Sequence, residues 1–73
     1  MKSICYFGIN DRRFKAFREN DETVFSVETR KPIAFVNEHT WFDWKTHKPI
    51  AGEEDDLVYA WETHKPILVI SVE

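Results

Sequence analysis

Thr29-Arg30-Lys31-Pro32-Ile33, Thr46-His47-Lys48-Pro49-Ile50 and Thr63-His64-Lys65-Pro66-Ile67 are three copies of one phrase, spaced by 17 residues each time. The likeness runs upstream without a gap, since Val24-Phe25-Ser26-Val27-Glu28 aligns with Trp41-Phe42-Asp43-Trp44-Lys45 and with Val58-Tyr59-Ala60-Trp61-Glu62. A repeat this short is one supersecondary unit that must bury its apolar face against its neighbours. The period describes how the chain is built and names no reaction.

Each copy alternates over five residues. Phe25 and Val27, Phe42 and Trp44, Tyr59 and Trp61 fall on one face, and Ser26, Asp43 and Ala60 on the other, which is the period of a strand. Each copy then meets Lys-Pro, where proline has no amide hydrogen for a ladder and pushes the preceding lysine out of the helical region. A reversal is expected there, with Pro32, Pro49 and Pro66 inside it and Lys31, Lys48 and Lys65 exposed. Ile33-Ala34-Phe35-Val36 and Ile67-Leu68-Val69-Ile70 read as returning strands, while Ile50-Ala51 runs straight into Gly52 and returns weakly. Asn37-Glu38-His39-Thr40 and Gly52-Glu53-Glu54-Asp55-Asp56 supply the opposite turns.

The expected fold is mainly β, an antiparallel meander or small barrel of three 17-residue hairpin repeats after an N-terminal strand. It is a single domain over residues 1–73, with repeats at 24–40, 41–57 and 58–73. Within residues 1–23, Ser3 to Ile9 reads as a strand, and Asn10 to Asn20 as a second hairpin or a short helix capped by Asn10. The hairpin is preferred because it makes a degenerate fourth copy. Parity predicts a core of Phe25, Val27, Ile33, Phe35, Phe42, Trp44, Tyr59, Trp61, Ile67 and Val69, with Trp41 exposed beside Asp43 and Lys45.

Alternating turns separate charge. One end carries Arg30, Lys31, His47, Lys48, His64 and Lys65, joined by Arg12 and Arg13 if the first segment is a hairpin. The other carries Glu19, Asp21, Glu22, Glu38 and the block Glu53, Glu54, Asp55 and Asp56, so the net charge of −3 conceals a dipole.

Catalysis finds no support, because there is no phosphate-cradling glycine loop, nucleophile elbow or zinc-hydrolase motif. His39, His47 and His64 lack the close pairing of zinc ligands, and the acidic block lacks the spaced oxygens and turn glycine of a calcium loop. No cofactor is expected. The single cysteine, Cys5, suits a small core or flank residue in a reducing compartment, and no apolar run approaches the length of a membrane span. A soluble cytoplasmic protein is expected.

Two binding readings remain. Basic tips beside an exposed Trp41 suit a single-stranded nucleic acid, although an acidic chain with a pI near 5.6 is a poor general binder of phosphate. Protein binding is favoured: aromatic anchors supply energy, and Glu38, Trp41, Glu53, Glu54, Asp55 and Asp56 offer an acidic surface to a basic partner. A third arrangement is a homodimer paired through the apolar C-terminal strand.

In size, acidity, aromatic surplus and segregated charge, the whole chain resembles the small proteins with which bacteriophages disable host enzymes, particularly inhibitors of bacterial RNA polymerase. The resemblance implies action in the host cytoplasm on a basic target, such as a nucleic-acid channel or a lysine-rich terminal segment of a polymerase subunit. Inhibition would come from occupancy rather than chemistry.

Overall fold

The computed structural model describes residues 4–18 and 22–72. Eight strands follow one another: β1 (Ile4–Gly8), β2 (Phe14–Arg18), β3 (Thr23–Ser26), β4 (Pro32–Asn37), β5 (Thr40–Asp43), β6 (Pro49–Glu54), β7 (Leu57–Ala60) and β8 (Pro66–Val72). Each pairs antiparallel with the next, and β8 returns to β1 in register from Ile4–Val72 to Gly8–Leu68, so the meander closes into a barrel. The N-terminal segment forms the hairpin β1–β2 rather than a helix. Glu19 and Asp21, expected at the acidic end, lie outside the described residues.

The hairpin tips show why the repeated phrase has its composition. Gly8, Ser26, Asp43 and Ala60 occupy equivalent positions, and each donates its N–H to the carbonyl of Arg13, Lys31, Lys48 or Lys65 at 2.8–3.0 Å. The same four residues accept from the N–H of Arg12, Arg30, His47 and His64, whose φ angles of 59°, 61°, 64° and 59° are left-handed. Thr29, Thr46 and Thr63 brace the loop by accepting the backbone N–H of Lys31, Lys48 and Lys65 at 3.2–3.3 Å, and Asp11 does so for Arg13 at 3.0 Å. In the first hairpin the Asp11 carboxylate lies in the space that a Cβ on residue 8 would take, so a larger residue there would displace that brace.

Pro32, Pro49 and Pro66 do not sit within the reversals, as expected from their sequence, but begin β4, β6 and β8. Each lies opposite a register shift, where the ladder tolerates a missing donor. The second copy does not return weakly either, because β6 runs six residues through Gly52 and Glu53 to Glu54. Its turn to β7 is reduced to Asp55-Asp56.

The largest correction concerns which face is inside. The buried core is Tyr6, Ala16, Val24, Ala34, Val36, Trp41, Ala51 and Val58, with Ile4, Leu68 and Ile70 packed against it. The expected core set takes the opposite parity and lines the outer wall, where Trp44 is 42% and Trp61 46% exposed while Trp41 is 4% exposed. Volume decides this. An eight-stranded barrel leaves room for one filling layer of side chains, and near the tips its inward cross-strand partners are Ala16–Ser26, Ala34–Asp43, Ala51–Ala60 and Gly8–Leu68. A ring at those inner positions would clash across the lumen. The opposite end holds the large interior rings of Tyr6 and Trp41, which meet edge to face at 4.9 Å.

Trp41→Ala should therefore destabilise by about 3–5 kcal/mol, whereas Trp61→Ala should cost well under half of that. Denaturant unfolding of the two variants checks the assignment, and equal losses would contradict it.

Candidate functional site

Three surfaces and one interior cluster collect the chemistry-bearing side chains. The cluster plugs the barrel at the end away from the tips. Glu53 Oε2 accepts from Tyr6 Oη at 2.9 Å and from Trp41 Nε1 at 2.6 Å, and Arg18 Nη1 stands 3.8 Å from it. The Arg18 and Glu53 side chains are 14% and 9% exposed, and Arg18 Nε is buried without a hydrogen-bond partner among the described residues. Burial first, and then the neighbouring Glu53 carboxylate, push the Tyr6 phenol far above the ordinary tyrosine range. Glu53 and Trp41 thus belong to the interior and not to an exposed acidic turn. Glu53 shares inward parity with Ala51, so its carboxylate enters the lumen, where two neutral donors and a cation hold it.

Around that plug lies the acidic mouth. Glu54, Asp55 and Asp56 are exposed and, with His39, Ile4 and Ile70, line a depression of about 400 Å³. Glu38 is also exposed at this end, in a two-residue turn with His39. Their φ angles of 50° and 74° are both positive, as a type I′ hairpin turn requires.

The opposite end is a ring of basic tips. Up-and-down topology brings Arg12 and Arg13, Arg30 and Lys31, His47 and Lys48, and His64 and Lys65 to one rim, all of them exposed. The rim also holds anions. Asp11 pairs with Lys15 at 3.0 Å, and the backbone N–H groups of Thr46 and Lys45 hold the Asp43 carboxyl below the usual carboxylate range. Among the described residues, no group of three or more His, Cys, Asp or Glu is placed to hold a metal.

The outer wall carries the aromatics in a repeated seam. Phe17 stacks on Phe25 at 5.5 Å, and Phe35 stacks on Phe42 at 5.3 Å. Phe35 is further enclosed edge-on by Trp44 at 6.4 Å and His47 at 5.4 Å. One repeat later, the position of Phe35 is taken by Gly52, beside a depression of about 350 Å³. Above the seams, the backbone N–H of Trp44 donates to the carbonyl of Ile33 and that of Trp61 to the carbonyl of Ile50, and all four side chains are exposed. Cys5 also takes outward parity, beside Phe17.

The chain matches no protein-family model, no curated protein and no solved structure. Sequence reading placed the two charged ends and missed Tyr6, Arg18 and Gly52. The first two are drawn together only by closure, but Gly52 was visible as the residue that breaks the alternating pattern of its repeat.

Because the folded Tyr6 phenol titrates above its unfolded value near 10, its contribution to stability is complete below about pH 10 and declines as pH rises further. Tyr6→Phe should remove up to about 1.4 kcal/mol per pH unit from the alkaline slope of unfolding stability. Urea titrations at a series of alkaline pH values would show this, and parallel slopes would mean that Tyr6 ionises alike in both states.

Proposed function

We propose that this barrel is a small protein-binding module that acts by occupying its target. The observation that carries the reading is the exposed apolar outer wall: Trp44 and Trp61, with Ile33, Ile50 and Ile67 each 40–41% exposed, repeat around the circumference in a protein of 73 residues. Exposed aromatics rimmed by charge have the composition of an interface core, and wide rings anchored on a rigid wall lose little entropy on binding. The strands are four to seven residues long, shorter than the 9–11 that a membrane-crossing strand takes, which favours a protein over lipid as the cover for this wall.

The acidic mouth gives the partner its sign. Glu38, Glu54, Asp55 and Asp56 crowd one rim, and a basic surface relieves their mutual repulsion. The resemblance to bacteriophage inhibitors names a target class to try, a host enzyme such as bacterial RNA polymerase. Both edges of β8 are hydrogen-bonded within the barrel, so a homodimer through that strand has no free edge to use.

A second reading has its own support. Arg12 and Arg30 hold left-handed backbone positions that glycine fills at lower cost, and barrel closure gathers them with Arg13, Lys31, Lys48 and Lys65 on one rim. Such a rim suits a nucleic-acid backbone. Trp41 has no part in it, being buried.

Purified protein should slow bacterial RNA polymerase stoichiometrically and bind it in a pull-down. The triple variant Glu54→Lys, Asp55→Lys, Asp56→Lys should fold normally and associate at least about tenfold more slowly at low ionic strength, the difference shrinking as salt rises. Unchanged association in that variant, with binding of labelled single strands lost on reversing Lys31, Lys48 and Lys65, would favour the nucleic-acid reading instead.

A further inference from the structure

The seam between β6 and β7 is a ring cage without its ring. In the preceding repeat, Phe42, Trp44 and His47 enclose the phenyl group of Phe35 at centroid distances of 5.3, 6.4 and 5.4 Å. Seventeen residues on, the same three walls recur as Tyr59, Trp61 and His64, and all three line the 350 Å³ depression over Gly52. Glycine is not there for its backbone freedom, since neither described glycine has a positive φ. Nor is it there for want of space. A Cβ at residue 52 would meet only the His39 carbonyl oxygen, at an ordinary 3.8 Å. The side chain is missing from a place that would accept one, beside the exposed ring of Trp61.

We infer that this vacancy is a socket for an aromatic side chain supplied in trans, a phenylalanine flanked by a basic residue in a partner protein. The phenyl preference comes from the twin cage, where Phe35 shows what these walls hold. The basic flank comes from Glu54, which shares outward parity with Gly52 and lines the same depression. Closure leaves no strand edge here for backbone pairing, so the contact is one of side-chain insertion. The inference rests on the protein-binding reading above and locates its anchor point.

The peptide Ac-Lys-Phe-Lys-amide, titrated into the ¹⁵N-labelled protein, tests the socket. The Trp61 indole N–H should shift saturably while that of Trp44 stays still, because Phe35 already fills its cage. Ac-Lys-Ala-Lys-amide should bind about tenfold more weakly or worse. Gly52→Phe should abolish the Trp61 response and raise the thermal midpoint. Phe35→Ala, which empties the twin cage, should transfer a response to Trp44. The socket is overturned if the Trp61 shift survives in Gly52→Phe, if the alanine peptide binds equally, or if deoxyadenosine monophosphate binds there more tightly than the phenylalanine peptide. Retained binding of the polymerase by Gly52→Phe also overturns it and leaves the protein-binding reading standing. If the wild-type protein binds no polymerase, that target fails, and the peptide titration alone judges the socket.

Discussion

Pairing of β1 with β8 converts four hairpins into a closed wall, and most other features of the molecule answer to that closure. Closing eight short strands sets the lumen's width, and the width admits one layer of side chains whose size must fall toward the tips. Gly8, Ala16, Ser26, Ala34, Asp43, Ala51 and Ala60 satisfy the narrow end, and Tyr6, Trp41 and Val58 fill the wide one. The aromatic-rich face of each repeat is consequently turned outward. A chain with a surplus of rings thus keeps only Tyr6 and Trp41 in a core otherwise of alanine and valine, and carries an apolar outer wall.

That inversion has consequences at both ends. At the wide end the lumen would stand open to water, and Arg18 and Glu53 close it with charge rather than with more apolar volume. The Glu53 carboxylate is a shared acceptor for the phenol of Tyr6 and the indole of Trp41, so the two large interior rings are held by one group. Removing that carboxylate would leave two buried donors without a partner, which costs more than the hydrogen bonds themselves contribute. At the narrow end, the tips are standardised by backbone bonds and by a Thr or Asp brace, which frees their remaining side chains to carry charge.

Repetition makes the departures from it informative. In three of the four seams an apolar pair covers the outer wall: Phe17 with Phe25, Phe35 with Phe42, and Val69 with Phe7. At the fourth, Tyr59 faces Gly52 alone. Duplication by itself would have produced a filled seam, and the backbone there would accept one. The surface is therefore differentiated around its circumference.

Several features were legible in the residues themselves. The 17-residue period, the strand alternation and the turn-forming character of the tips follow from local chemistry, because each depends on residues close in the chain, although the prolines proved to open the returning strands rather than to lie within the reversals. The hairpin of β1 and β2 was also within reach, as a worn copy of the same unit. Parity alone, however, states that two faces differ and not which is inside. For Trp44 and Trp61 against Trp41 and Ala51, that choice rests on the lumen's diameter, a property of all eight strands together. The same holds for Glu53, which reads as one of four acids in a turn until the length of β6 draws it inward to meet Tyr6, 47 residues away. The empty cage over Gly52 likewise needed the tertiary structure, since only the register of β6 on β7 sets Tyr59, Trp61 and His64 around a place where a ring is missing.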